Sequence, residues 1–331
     1  MKKFEEKINQ HWSNQNQNSQ KLRWWQSPTI KKCINKRICD LEEEKSEDRE
    51  NFIVQSAGSN LYLKTLLKQQ DKVLKHGVSV GFGTGDKEFT LIEEGLVEKF
   101  TLFELADERI RLAEKKAKNL GIDNRIKIIR GNCFEYTFDE KIDFVHWNNS
   151  LHHMFNVDEA IKWSYDILED YGIFYLDDYV GPNRFQFSDE AIKICNNIRS
   201  IFPDSYLKNP FNPDILCETV HPFDPNEINN IDPSEAADSE NILSALIKYF
   251  PNAKIIPTGG TIYTTALMDI INNFNEEDIK DKFILELLMF IDELIVKYKI
   301  VETQYVFAIA VKLPKINKYS INNLLQHIKS I

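Results

Sequence analysis

Between residues 78 and 177 short apolar runs alternate with amphipathic stretches of helical period, and this alternation leaves few architectures open. The runs are Val78 to Gly81, Phe100 to Leu105, Ile126 to Arg130, Ile142 to Trp147 and Gly172 to Asp177. Between the second and third, Ile110, Ala113, Ala117 and Leu120 share one helical face over Asp107 to Leu120, and Gly121 supplies the stop. Between the fourth and fifth, Asn156 and Glu159 stand in capping-box spacing ahead of Ile161, Tyr165 and Leu168. Five strand–helix units in about 100 residues predict an α/β fold with a doubly wound, mostly parallel sheet.

The rest of the chain departs from that rhythm. Residues 1–75 read as a helical arm or lid; its first ~20 residues, Asn/Gln-rich over Asn14 to Asn18, are expected to be irregular. Residues 76–181 form the cofactor-binding core. Residues 182–250, with helical signals at Ser188 to Phe202 and Ser239 to Phe250 around a segment holding Pro203, Pro210, Pro213, Pro222, Pro225 and Pro233, read as an inserted substrate cap. The core resumes over 251–314, with strands at Ala253 to Thr258 and Tyr305 to Leu313 and a helical region near Glu276 to Lys299. Residues 315–331 have a helical pattern in Ile321, Leu324, Leu325 and Ile328.

Charge narrows the partners. The formal net charge is −10, yet residues 1–37 hold nine Lys and Arg against two Glu, and residues 40–50 hold seven acids against two bases. The chain beyond residue 50 therefore carries −12 and would repel phosphate backbones. Either the two blocks neutralise each other as solvated faces, or the basic arm helps to close over an anionic ligand. Five cysteines with no CxxC spacing argue against a zinc site and a disulfide framework, so no metal is expected. No apolar run serves as a signal sequence, and a cytoplasmic protein without membrane contact is expected, with a homodimer as the assembly to test.

The chemistry concentrates behind the first two strands. VSVGFGTGDKEF puts Gly81, Gly83 and Gly85 between a strand and a helix, where a ligand must approach the main chain without meeting a Cβ. A dinucleotide fingerprint wants glycine where Asp86 stands, and a P-loop wants an absent GK[ST], so the cofactor has no pyrophosphate to seat there. Glu104 ends the second strand, 19 residues after Gly85, where an acid can accept both hydrogen bonds from a ribose diol. Asn132 and Cys133, after the third strand, are candidates for an adenine edge.

With these motifs the chain resembles the class I S-adenosylmethionine-dependent methyltransferases, over roughly residues 60–180 and again in the last strands. The matching motifs are VGFGTG, FELAD with Glu104 and Leu105, RGNCFE with Asn132 and Cys133, and HWNNSLHHM with Asn148. WWQSP, DYVGPNRFQF and DPSEA are similar to a bacterial subgroup acting on small molecules. The resemblance implies a Rossmann-like sheet of seven strands, the last antiparallel, and S-adenosylmethionine as cofactor.

In such a sheet the reaction lies beyond the carboxyl ends of the strands. His152 and His153 are then candidate bases, and Asp178 could orient one of them or bind a substrate hydroxyl. Trp24, Trp25, Tyr179, Asn183 and Arg184 are candidate substrate contacts; Arg184 could instead pair with Glu235. No NPPY-type tetrapeptide follows the fourth strand, where base-modifying amino methyltransferases commonly have one. The reading is therefore methyl transfer to a hydroxyl, ahead of an amine, of a small biosynthetic intermediate such as a sugar, with no nucleic acid. The competing readings are a protein or nucleic-acid methyltransferase recruiting substrate through the basic arm, and a noncatalytic cofactor-binding protein.

Overall fold

A central strand is buried on both faces, and in Ile142 to Asn148 every residue before Asn148 is buried, Asp143 and His146 included. The computed structural model describes residues 2–14, 23–39, 58–69 and 72–314. Along the chain run α1 (Lys2–Asn14), α2 (Pro28–Cys39), α3 (Gly58–Gln69), β1 (Leu74–Val80), α4 (Asp86–Glu93), β2 (Val97–Glu104), α5 (Asp107–Leu120), β3 (Ile126–Arg130) and β4 (Ile142–Asn148). Then come α6 (Val157–Ile167), β5 (Leu168–Tyr179), α7 (Asp189–Ser200), α8 (Pro225–Ile231), α9 (Ile242–Tyr249), β6 (Lys254–Gly259), α10 (Ile279–Lys297) and β7 (Tyr305–Val311), with short helical turns between.

The strands form one seven-stranded sheet in the order β3-β2-β1-β4-β5-β7-β6. β1 to β5 run parallel, and β7 runs antiparallel to both β5 and β6. This is the class I, Rossmann-like sheet. The order reverses between β1 and β4, and the loops after those two strands open the crevice that such a switch point creates. Local signals act as expected: Asn156 accepts the Glu159 N–H at 3.1 Å to start α6, and Gly121, at φ +68°, ends α5.

Packing redistributes the segments around the sheet. Ile38 and Cys39 of α2 and Leu63 and Leu67 of α3 lie in the apolar layer against one sheet face, together with Phe89, Phe100 and Phe307. These helices therefore form a layer of the core instead of a free arm. On the other face α9 packs beside α6, with Ile242, Ala245, Leu246 and Phe250 in one cluster with Trp147, Ile161 and Phe174. The last turns of the segment expected as cap thus belong to the sheet's covering.

A third cluster lies apart from both layers. It joins Ile30 of α2, Cys195 and Ile198 of α7, Val220, and Ile262, Leu267, Leu285 and Met289 from the β6–β7 connection. The second lobe is therefore built from two insertions into the sheet, one after β5 and one after β6, and not from residues 182–250 alone. Its centre is polar where α2 and α10 meet: Arg37 pairs with the fully buried Asp292 at 2.9 Å, and Asp292 also accepts the Ile262 N–H. The N-terminal segment departs from expectation too. It is helical from Lys2 to Asn14 because it gains tertiary partners: the Asn9 side chain accepts the Asp107 N–H and donates to the Asp107 carboxylate, both at 3.0 Å, at the start of α5. The helix expected over 315–331 lies outside the described residues.

Candidate active site

The loop between β1 and α4 uses its glycines for different ends. Gly81 sits at φ +66°, and a Cβ there would come 2.9 Å from the Cβ of Ser150 on the β4 loop, so only glycine lets the two loops close on each other. Gly83 donates its N–H to Glu104 Oε2 at 2.9 Å. Gly85 does not line the cavity; it caps α4 at φ +78°, with the Phe89 ring packed against it. Glu104 Oε1 accepts the N–H groups of Leu105 and Ala106 at 2.8 and 3.0 Å. Below this loop Glu88 accepts hydrogen bonds from Ser79 Oγ at 2.7 Å and His146 Nδ1 at 2.9 Å, all three residues buried. Burial opposes the Glu88 charge, but His146 and Ser79 override it and hold the carboxyl below its ordinary value.

A cavity of about 1680 Å³ opens at the carboxyl ends of the strands. Gly81, Gly83, Glu104, Leu105, Asn132, Cys133 and Asn148 all line it. Asn132 Oδ1 is committed to the Phe134 N–H at 3.0 Å, and burial pushes the Cys133 thiol up to about 12, leaving it an inert neutral group. Asn148 Nδ2 is buried and finds no partner among the described residues.

On the cavity wall, two loops bring His152, His153 and Glu235 together. Asp178 stands behind them, fully buried and outside the cavity lining. Its Oδ2 accepts the Ser150 and Leu151 N–H groups at 2.9 and 2.7 Å, and its Oδ1 accepts the Tyr179 N–H at 2.8 Å and His152 Nδ1 at 2.5 Å. Asp178 therefore holds His152 from behind and presents no atom to the cavity. His152 Nε2 lies 3.5 Å from Glu235 Oε1. Burial alone would lower the His152 pKa, yet the Asp178 and Glu235 carboxylates raise it to about 10. His153 is lowered to about 4 by burial and by the charge on His152, its ring centroid 4.1 Å away. Burial opposes ionisation of Glu235, and the neighbouring His153 and His152 override it and hold the carboxyl down at about 2.

The second wall is aromatic. Trp24 packs against Tyr263 and Tyr305 at centroid distances of 5.0 and 5.4 Å, while Trp25 is half exposed under Arg23. Tyr179 presents its ring, since its hydroxyl donates to the Pro182 carbonyl at 2.9 Å. Asn183 and Arg184 do not line the cavity. Asn183 accepts the Glu240 N–H, and Arg184 donates to the carbonyls of Glu235 and Pro233 at 2.6 and 2.8 Å. Arg184 thus holds the Glu235 loop through its backbone, not through an ion pair.

Three contributors were not singled out from the sequence. Trp12 of α1 sets its ring edge-on to His153 at 5.2 Å and lies under the Arg109 guanidinium at 4.2 Å, so α1 covers the cavity. Glu235 and Ser234 sit within DPSEA, a motif that gave Glu235 a place only as a partner for Arg184 and Ser234 none. Trp12 had a weak signal, an aromatic in a polar helix of period 3.6, where it pairs with Ile8 along the lining.

Comparison with known proteins bears on the core. Residues 73–215 match a family model described as a methyltransferase domain. No curated protein matches. Among solved structures, an S-adenosylmethionine-dependent methyltransferase from Clostridium acetobutylicum ATCC 824 is 16% identical over 40% of this chain and 52% of that chain, with TM-score 0.33, so the chain spans about half of that protein. Geranyl diphosphate C-methyltransferase from Streptomyces coelicolor A3(2), crystallised with Mg2+, geranyl diphosphate and S-adenosyl-L-homocysteine, is 11% identical over 94% and 98%, with TM-score 0.49. Phosphoethanolamine N-methyltransferase 2 of Haemonchus contortus is 13% identical over 93% and 60%, with TM-score 0.48. Among the described residues no helix is long and apolar enough to cross a membrane.

Proposed function

We propose that the chain is an S-adenosylmethionine-dependent methyltransferase that methylates a hydroxyl, or an amine, on a small molecule enclosed between the sheet and the second lobe. The observation that carries this reading is the asymmetry of the cavity. One wall offers the glycine loop and Glu104; the other offers Trp24, Tyr179, Phe185, Tyr263 and Tyr305; His152, His153 and Glu235 lie between. At about 1680 Å³ the space exceeds the roughly 300–1,000 Å³ usual for one ligand, leaving room for cofactor and acceptor together.

In this proposal Gly81, Gly83, Glu104 and Leu105 hold the cofactor, with Asn132, Cys133 and Asn148 beside it. Direct displacement then needs the acceptor's lone pair aligned behind the methyl carbon, and a proton acceptor if a hydroxyl reacts. The His152–His153–Glu235 cluster is the polar feature that would meet that hydroxyl, with Asp178 positioning His152. The aromatic wall favours an acceptor with a carbon-rich body over a bare polyol. The body charge of −12 and the covering by α1 support a small acceptor over a polymer.

The test supplies methyl-labelled S-adenosylmethionine with panels of phenols, hydroxy acids, sugars and amines, and follows label transfer and S-adenosylhomocysteine release. Labelled small product with one class supports the reading. Label entering only protein or nucleic acid, or no turnover with any panel while S-adenosylhomocysteine binds, overturns it in favour of a macromolecular substrate or a noncatalytic role.

A further inference from the structure

We propose that His152, His153 and Glu235 bind a divalent transition-metal ion of borderline softness, Zn2+ being the probe. One ligand atom from each of the three lies within 4.8 Å of the others, on the wall of the cavity. The His152 Nε2 to Glu235 Oε1 separation of 3.5 Å is long for a charge-assisted hydrogen bond, about 2.7–2.9 Å. It matches the edge of a tetrahedral site instead: two ligands at ~2.0–2.1 Å from one ion stand roughly 3.3–3.5 Å apart.

The outer contacts carry the argument further. Asp178 accepts four hydrogen bonds, so His152 Nδ1 is the donor and Nε2 is the atom on the cavity side, which gives up its proton to solvent as a metal binds. Ser234 Oγ donates to Asp232 Oδ1 at 2.6 Å, so it accepts from His153 Nδ1 at 3.1 Å, and the lone pair of His153 is on Nε2. Each imidazole is thus fixed through Nδ1 by a carboxylate, directly for His152 and through a serine for His153. Metal-binding histidines are held in this way, which sets the tautomer and raises the basicity of the ligating nitrogen. Two imidazoles and one carboxylate suit Zn2+, Fe2+ or Co2+ and disfavour the all-oxygen preference of Mg2+ and Ca2+.

Three protein ligands leave a position facing the cavity, and for turnover the inference rests on the proposed acceptor site. An acceptor hydroxyl bound there would lose its proton to solvent. The resulting oxygen lone pair would form the new O–CH3 bond as the C–S bond breaks and its electron pair returns to sulfur. Metal binding itself does not depend on that step.

The experiment titrates chelator-stripped full-length protein with Zn2+ by calorimetry and records Co2+ absorption on the wild type. The expected result is one equivalent bound, weakened at least 100-fold by His153→Gln and by Glu235→Gln, and 10- to 100-fold by Asp178→Asn. Co2+ should give visible ligand-field bands without the near-ultraviolet charge transfer of a thiolate ligand, a readout that survives if a variant fails to fold. No saturable uptake, thiolate charge transfer, or undiminished uptake in both His153→Gln and Glu235→Gln overturns the proposal. Glu104→Ala separates the readings: it should keep the metal while losing S-adenosylhomocysteine, so failure of metal binding and failure of cofactor binding appear independently.

Discussion

Replacing Glu104 with glutamine isolates what its carboxylate contributes, because the substitution keeps shape and removes charge. Three of about four acceptor positions on Glu104 are already used by the backbone N–H groups of Gly83, Leu105 and Ala106. A glutamine must turn its NH2 toward Gly83 or toward the Leu105–Ala106 pair, and the first choice loses one hydrogen bond where the second loses two. That loss exists with or without cofactor. It therefore appears in stability, at about 1–2 kcal/mol, and not in affinity. Affinity changes through the proposed ribose contact, where a hydroxyl would meet a neutral amide in place of a carboxylate. With one acceptor position left for a ribose hydroxyl and a hydrogen bond to a charged group contributing about 1.5–3 kcal/mol, losing it comes to about 2 kcal/mol, roughly 30-fold in Kd. Calorimetry with S-adenosylhomocysteine reads the affinity, and thermal unfolding reads a fall of a few degrees. A folded Glu104→Gln protein whose Kd stays within threefold of wild type would remove Glu104 from the ribose and refute the reasoning.

Two further outcomes follow from neighbouring contacts. Trp12 packs on Arg109, His153 and its neighbour His11 at the cavity mouth, so Trp12→Ala should release bound S-adenosylhomocysteine at least tenfold faster in stopped-flow displacement with little change in Tm; an unchanged release rate would deny α1 a covering role. Glu88, whose carboxyl is held below its ordinary value, contributes stability that is present above the unfolded-state pKa and is lost as pH falls through the lower folded value. Glu88→Gln should therefore cost about 3 kcal/mol at pH 7, and the gap between the two unfolding curves should narrow below about pH 4; a gap that stays constant from pH 7 to 3 would show that the Glu88 charge is not what is lost.

The sheet was legible because strand period and glycine placement are local signals. Asp107 to Leu120 matches α5 end for end, since its apolar spacing and Gly121 both act within a single helix. The first helix was not legible, because its polar sequence is ordered by Asp107, Arg109 and His153, residues about 100 or more positions away. Arg184 shows the same limit from another side. Its chemistry suggested a substrate or carboxylate partner, yet its guanidinium is taken up by two backbone carbonyls, which a sequence cannot display. Glu235 was weighed only as a partner for Arg184, and its approach to His152 depends on how two connections fold against each other.

How those connections are held explains why the histidine–carboxylate cluster is a fixed arrangement. Asn149, Arg184, Phe185 and Ala236 all adopt positive φ, between 46° and 55°, a conformation that non-glycine residues rarely take. All four flank the site loops: Asn149 follows β4, Arg184 and Phe185 follow β5, and Ala236 follows Glu235. Backbone hydrogen bonds lock them, from Asn149 N to the Asp177 carbonyl at 2.9 Å, from Arg184 N to the Ala236 carbonyl at 2.8 Å, and from Ala237 N to the His152 carbonyl at 3.2 Å. Such conformations cost of order 1–3 kcal/mol each and persist where the surroundings over-determine them. Here the over-determination runs in a chain, from the β5 loop to the Glu235 loop to the His152 loop. The strain therefore falls on the loops that carry His152, His153 and Glu235, while in the loop after β1 the positive φ falls on Gly81 and Gly83 with no Cβ penalty. A site whose polar cluster is set before any ligand arrives has less ordering entropy to lose on binding, which is the physical reason for placing that cluster on strained, cross-linked loops.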